Sequence, residues 1–180
     1  MKALLLACAL AGTAAFGGEN LIANGDFEKP GAPARYLHIG PDGERVYSAE
    51  VNRVEEAGVD GSVCLKYTTP AEVGKDASWT NTGALFSTGR AMKRARVTFD
   101  ARCDANEKME VTVARVWGGS NYLVLKLSDE WNNFEVDLES EHGLREILVG
   151  VVAPQRMAGK SFYLDNVAVT ELPEVDAKRE

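Results

Sequence analysis

The stretch RARVTFDARC, Arg94 to Cys103, decides the fold class. Val97, Phe99, Ala101 and Cys103 fall on one side of an extended chain, and Thr98, Asp100 and Arg102 on the other. That period of two is what a strand with one buried face requires. Working outward, the same design recurs at residues 20–23, 36–39, 46–54, 62–68, 83–87, 109–116, 122–127, 133–138, 146–153 and 161–170: short runs of Val, Thr, Tyr and Phe between Gly, Asn, Asp and Pro. In NYLVLKLS, residues 121–128, Leu and Val fall on both sides, which suggests a strand covered twice. No segment sustains a helical period, and GPDG, VDGS and WGGSN break the chain at short intervals. About ten strands in one domain, with no room for parallel crossovers, predict an all-β fold, an antiparallel two-sheet sandwich of the jelly-roll kind.

Residues 1–17 stand outside that fold. Lys2, an apolar run from Ala3 to Ala11 and small residues ahead of Glu19 read as a secretory signal peptide, too short to cross a bilayer. Cleavage after Gly17 has small residues at both recognition positions, Ala15 and Gly17; cleavage after Ala15 fits almost as well. Cys8 follows LLLA in the manner of a lipoprotein box, but the apolar run ahead of it is very short. An exported product is expected, in the periplasm, at the cell surface or outside the cell. Roughly 160 residues then remain, enough for one domain with a proper core, here residues 18–172. The tail PEVDAKRE, residues 173–180, is charged, has no apolar face and is expected to fray.

Losing Lys2 takes the formal net charge from −7 to −8, which repels a phosphate backbone and argues against nucleic acid. Cys64 and Cys103 remain in the mature chain, in an exported setting where a disulfide is chemically permitted. Two buried thiols are the alternative, and neither cysteine has the spacing of a metal or redox site.

The stretch FYLDNVAV, Phe162 to Val169, poses a problem. Strict alternation sets Asp165 beside Tyr163, Val167 and Val169, and an ionised carboxylate among apolar side chains costs several kcal/mol, roughly, unless something compensates it. In NLIANGDFEKPG, residues 20–31, Asn24, Asp26 and Glu28 share one side of an extended chain. If the first and last strands are neighbours, these oxygens and Asp165 converge on one hard cation, and calcium suits such an oxygen-rich site. The expected ligands are Glu28 and Asp165, then Asp26, with backbone carbonyls completing the set. The alternative is a metal-free Asp165 that meets backbone donors or an Arg.

An opening NLIANGDFE, a mid-chain VTFDARC, a strand introduced by Trp in EWNNFEVDL and a closing FYLDNVAV together resemble carbohydrate-binding modules of the family 4, 9, 16 and 22 type, in the galactose-binding-like jelly-roll superfamily. The resemblance covers nearly the whole mature chain. It implies structural calcium near the joined termini, and sugar bound either on the concave face or at loops on the sheet edge. It also implies that Trp131, at the start of its strand, is a packing residue. It assigns no sugar-binding residue one by one.

A sugar site combines aromatic rings for C–H faces with paired donors and acceptors for hydroxyls. Three stretches have that make-up. ARVWGGSNY offers Arg115, Trp117, Asn121 and Tyr122; DASWTNTG offers Trp79 and Asn81; PARYLH offers Arg35, Tyr36 and His38. His38 and His142 have no acid or metal-ligand companions at recognisable spacing.

EVDLE, Glu135 to Glu139, resembles the ExDxE signature of laminarinase-type glycoside hydrolases. On a straight strand residues four apart lie about 13 Å apart, whereas retaining glycosidases bring their carboxyls to about 5–5.5 Å. A polar solvent-facing row explains Glu135, Asp137 and Glu139 without catalysis. The expectation is therefore a calcium-stabilised module that binds poly- or oligosaccharide through Trp117, Tyr122 and Arg115, with Trp79 and Asn121, and leaves it unchanged. A structural or adhesive cell-envelope domain that binds protein, and a small glycosidase using Glu135 and Glu139, are the alternatives.

Overall fold

The computed structural model describes residues 18–31, 34–39, 44–48, 52–72, 81–115, 122–152 and 154–174. Its strands, in chain order, are β1 (Ala34–Ile39), β2 (Arg45–Ser48), β3 (Arg53–Val54), β4 (Cys64–Thr68), β5 (Asn81–Cys103), β6 (Met109–Arg115), β7 (Tyr122–Leu127), β8 (Asn132–Val152) and β9 (Ser161–Glu171). Short 3-10 turns occupy Val59–Gly61 and Pro154–Met157, and every strand pairing is antiparallel. The fold is the expected all-β jelly roll.

Two pairs of expected strands are fused. Residues 83–87 and 94–102 belong to one long β5, and 133–138 and 146–152 to one long β8; these pair from Asn81–Val152 down to Ala101–Asn132. The register slips around Met92, and positive φ at Gly89 and Gly143 turns both strands together. One layer holds β3, β4, β9, residues 92–103 of β5 and residues 132–139 of β8; the other holds β2, β1, residues 81–87 of β5, residues 146–152 of β8, β6 and β7. Sequence reading separated these strands because Gly89 and Gly143 look like ordinary breaks.

Between the layers lies one core. Val97, Phe99, Ala101 and Cys103, set on one face by the alternation of the opening stretch, are all fully buried in it, with Phe162, Leu164, Val111, Val113, Ile147 and Val149 from the other strands. Each fully buried Phe side chain contributes about 1.5–3 kcal/mol through removal from water. β7 closes one edge, paired only with β6 among the described residues, and its Leu123 and Val124 are 47% and 50% exposed. The strand expected to be covered twice is thus an edge strand with apolar residues open on both sides.

Residues 20–23 form no strand, yet the two ends do meet. Leu21 N–H donates to Val169 O, Val167 N–H donates to Gly25 O, and the Asn20 side chain accepts from the N–H groups of Ile22 and Val169. A Cβ on Gly25 would lie 1.8 Å from Val167 O, so no other residue fits there. At the far end, Arg94 donates to Pro173 O and Lys93 pairs with Glu174, so the first two residues of the expected frayed tail are attached to β5.

Alternation in FYLDNVAV breaks at Asn166, whose φ of +50° marks a bulge: Asp100 faces Asp165 and Thr98 faces Ala168. Phe162, Leu164, Val167 and Val169 all reach the core, and Asp165 turns to the outer side with Tyr163. There the loop before β4 buries it, at 1% exposure. Its carboxylate accepts Val59 N–H at 2.9 Å, the Ser62 hydroxyl at 2.8 Å and Asn166 N–H at 2.7 Å. Burial raises its pKa above the ordinary carboxylate value, and the donors from Val59, Ser62 and Asn166 pull it back part of the way.

The cysteines are free. Cys103 lies in the core, its thiol near Glu107 O and Leu127 O, whereas Cys64 lies on the outer side of the same layer, one residue from core-facing Leu65. Burial, then the neighbouring Asp165, push the Cys64 thiol up to about 11, which leaves it unreactive.

Two outcomes are expected. Asp165→Ala should lower the unfolding free energy in urea by roughly 2–4 kcal/mol, because Val59 N–H and Ser62 lose a charged acceptor. A folded pKa above the unfolded one means that the folded chain still holds a proton where the unfolded chain has released it, so stability from this group is lost as pH rises through the folded value. Relative to Asp165→Asn, wild type should therefore lose ground as pH rises from about 4 towards neutrality; a pH-independent difference would show that the donors cancel the burial.

Candidate functional site

The two outer faces of the sandwich differ in chemistry. On the layer containing β9, charge dominates. Arg96 forms a two-pronged pair with Asp137, at 2.8 and 3.0 Å, and reaches Glu135 at 3.1 Å; Arg94 approaches Glu139 at 3.9 Å. The EVDLE carboxylates are thus an exposed row facing the arginines of β5. A general acid needs a carboxyl held above its ordinary value, and Arg96 does the reverse, lowering Asp137.

One row crosses this face laterally: Lys66, Tyr163, Arg102 and Trp131, on β4, β9, β5 and at the start of β8. The Arg102 guanidinium lies 4.0 Å from the centre of the Tyr163 ring and 5.2 Å from that of Trp131, and Lys66 lies 5.3 Å from Tyr163. Trp131 therefore packs, as expected, but on a surface guanidinium rather than in the core.

The other outer face has a different floor. Register aligns Tyr47, Leu37, Gly83, Gly150, Thr112 and Val124 in one row across six strands. The adjoining row holds Arg35, Leu85, Leu148, Ala114 and Tyr122. Ala84, Phe86, Val111, Val113, Ile147 and Val149 face the core, so Leu37, Gly83, Leu85, Thr112, Val124, Leu148 and Gly150 lie on the other side of the layer, with Ala114 and Tyr122 placed in the second row by register alone. Gly83 and Gly150 lie against one another, where a Cβ on Gly83 would come within 2.4 Å of Gly150 Cα, and the centre of the face carries no side chain. On this side of the layer Leu37, Leu85 and Leu148 form a second buried apolar cluster, and Gly83, Gly150 and Thr112 are buried with it. Thr112 closes the far side, its hydroxyl donating to Gly150 O at 3.2 Å.

A polar and aromatic group stands at the β2 end. Arg35 pairs with Glu146 and lies 5.7 Å from the centre of the Tyr47 ring, which is 41% exposed. Ring, guanidinium and carboxylate together offer what a pyranose needs, an apolar platform beside a donor and an acceptor. Arg35 was among the residues expected at a site; Tyr47 and Glu146 were missed. Tyr47 sits in a short run without a loop signature, and only the pairing of β1 with β2 brings it beside Arg35.

Of the other candidates, Tyr36 is structural: its hydroxyl donates to Lys66 O and accepts Asn52 N–H, and its ring packs on Tyr67 at 5.2 Å. His38 lies opposite Val46, and His142 is exposed where β8 bends. Trp79, Trp117 and Asn121 lie outside the described residues. Arg115 and Tyr122 are placed by register alone, opposite Ile147 and Ala114 where the β6–β7 connection opens. The segment carrying Trp79 enters at Asn81, opposite Val152. Five residues of β8 separate those two levels, so Asn81 and Arg115 stand roughly 17 Å apart along this layer.

The expected calcium ligands do not form a cage. The Phe27 and Glu28 carbonyls accept from the Arg53 guanidinium at 2.8 and 3.1 Å, and the Glu28 carboxylate accepts Val63 N–H at 2.9 Å. Asp165 faces the three donors already described. Asp26 is exposed, in a cleft of about 300 Å³ that Lys29 also lines. Among the described residues no three acidic, His or Cys side chains gather as a metal would need. These oxygens face protein donors, and a cation already stands among the carbonyls: Arg53.

No protein-family profile matches the sequence, and no curated protein matches it. Solved structures do. The CBM22-1 xylan-binding domain of Paenibacillus barcinonensis Xyn10C superposes with a TM-score of 0.60 at 15% identity, over 88% of this chain and 97% of that one. TmCBM61, in complex with β-1,4-galactotriose, superposes at 0.50 and 16% identity, over 86% and 99%. An exo-β-agarase gives 0.52 at 12% identity over 84% of this chain, which spans only 25% of that enzyme. The chain has the jelly-roll fold of carbohydrate-binding modules.

One test follows from Arg53. Arg53→Met should lower the melting temperature by several degrees, since the part-buried Phe27 carbonyl and the Glu28 carbonyl both lose their donor, whereas EDTA should leave the wild-type melt unmoved. A melt that falls in EDTA and recovers with calcium would restore the cation.

Proposed function

We propose that this chain is an exported, non-catalytic carbohydrate-binding module that holds a poly- or oligosaccharide on the glycine-floored face. The observation that carries this reading is the contrast between the two outer faces on a fold shared with carbohydrate-binding modules. One face is a lattice of paired charges; the other has two facing glycines and a buried Leu37, Leu85 and Leu148 cluster, with an exposed Tyr beside an Arg–Glu pair at the β2 end. A sugar chain, neutral and edged with hydroxyls, matches the second and gains little from the first. Trp117, Tyr122, Arg115, Trp79 and Asn121 belong to this reading too; of these, Arg115 ends β6 and Tyr122 begins β7 in the same layer. Leader 1–17 delivers the module outside the cytoplasm, where such polymers occur.

Affinity electrophoresis and calorimetry against soluble xylan, β-glucan and galactan test it. Tyr47→Ala and Trp117→Ala should each weaken binding about tenfold, through loss of ring stacking, with circular dichroism unchanged. No reducing sugar should be released during incubation. Release that disappears in Glu135→Gln would instead establish a glycosidase, and failure to bind any glycan would end the carbohydrate reading.

A further inference from the structure

We infer that β7 is a self-association edge, and that two copies of this chain pair antiparallel through it into one continuous sheet. β7 ends its layer, and among the described residues its pairing partner is β6 alone. Its residues carry the composition of a strand covered on both sides, yet Leu123 and Val124, on opposite sides, are about half exposed. Edge strands that remain solitary are usually shielded by charge, proline or a bulge. Here a single charge, Lys126, is the only such device in YLVLKL.

The occupant follows from symmetry and charge. A two-fold axis perpendicular to the sheet keeps each residue on its own face, so a residue can oppose only positions of its own parity. Centring the axis on Lys126 opposes two ammonium groups, which is unfavourable. Centring it on Leu125 opposes Val124 and Lys126. Centring it on Val124 opposes Val124 with its own copy, exposed Leu123 with Leu125, and register position Tyr122 with Lys126, and the two lysines stand apart. The last register covers both exposed apolar residues and sets no like charges together, so the edge is complementary to itself.

The same axis leaves the glycine-floored faces of both copies on one side of the joined sheet. Resting on the carbohydrate reading, the dimer is a bivalent surface whose avidity for a polymer exceeds the affinity of one copy.

Sedimentation of the full mature chain over a concentration series should show a monomer–dimer equilibrium. Val124→Lys, which opposes two ammonium groups on the axis, should be monomeric with an unchanged melt. Val124→Cys should form an intermolecular disulfide on mild oxidation, because opposed residues in an antiparallel pair lie within bonding range, and Leu123→Cys should not. Cys64 and Cys103 are buried and do not compete. A chain that stays monomeric at every soluble concentration, a dimer that survives Val124→Lys, or equal cross-linking at 123 and 124 would each overturn the proposal. Glycan binding at reduced avidity by Leu123→Glu, which puts a charge on the joined edge on the side away from the glycines, separates this inference from the carbohydrate reading, which fails only if binding itself is absent.

Discussion

The fold depends on how its two ends are brought together. Arg53 takes the Phe27 and Glu28 carbonyls, and Asp165 takes Val59 N–H and the Ser62 hydroxyl, so the opening segment, the loop before β4 and the closing strand form one hydrogen-bonded knot. Each partner alone is a liability, a half-buried guanidinium or a fully buried carboxylate with desolvation to offset. Together they leave few orphaned groups where three irregular segments cross. Gly25 allows the closest approach in that knot, backbone against backbone.

From this closure comes the division of labour between the faces. The layer that holds the knot spends its outer surface on ion pairs and on the row from Lys66 to Trp131, interactions that each contribute modestly in water. The other layer is released from that role. Its outer side can place glycines at the centre, where two strands approach backbone to backbone, and buried apolar residues beside them.

Much of this was legible in the sequence. Alternation in RARVTFDARC named four core residues correctly because one side of that strand packs on the opposite layer and the other meets solvent, the condition under which a period of two is enforced. The neighbouring ends were also legible. What escaped was non-local. The bulge at Asn166 shifts half of β9 by one residue and takes Val167 and Val169 to the side opposite Asp165, and nothing in FYLDNVAV marks it. Arg53, 25 positions from Glu28 in sequence, could not be foreseen as the partner of the Phe27 and Glu28 carbonyls. The contacts of Tyr47 and Glu146 with Arg35 were invisible because pairing, rather than proximity in sequence, assembles them. The aromatic loops were the natural candidates for recognition, since loops carry function on a rigid scaffold.

The long ribbon of β5 and β8 also bears on how the chain acquires its shape. Its innermost pair, Ala101 with Asn132, closes a modest loop, and every later pair up to Asn81 with Val152 must wait for the one before it. Both layers share these two strands, so neither can be completed alone, and the search is dominated by contacts distant in sequence. Such chains reach the native state in milliseconds to seconds rather than microseconds, on the order of what other sandwiches need. During that interval the apolar edge of β7 stands open to neighbouring chains, which makes the speed of zipping a safeguard against misassembly.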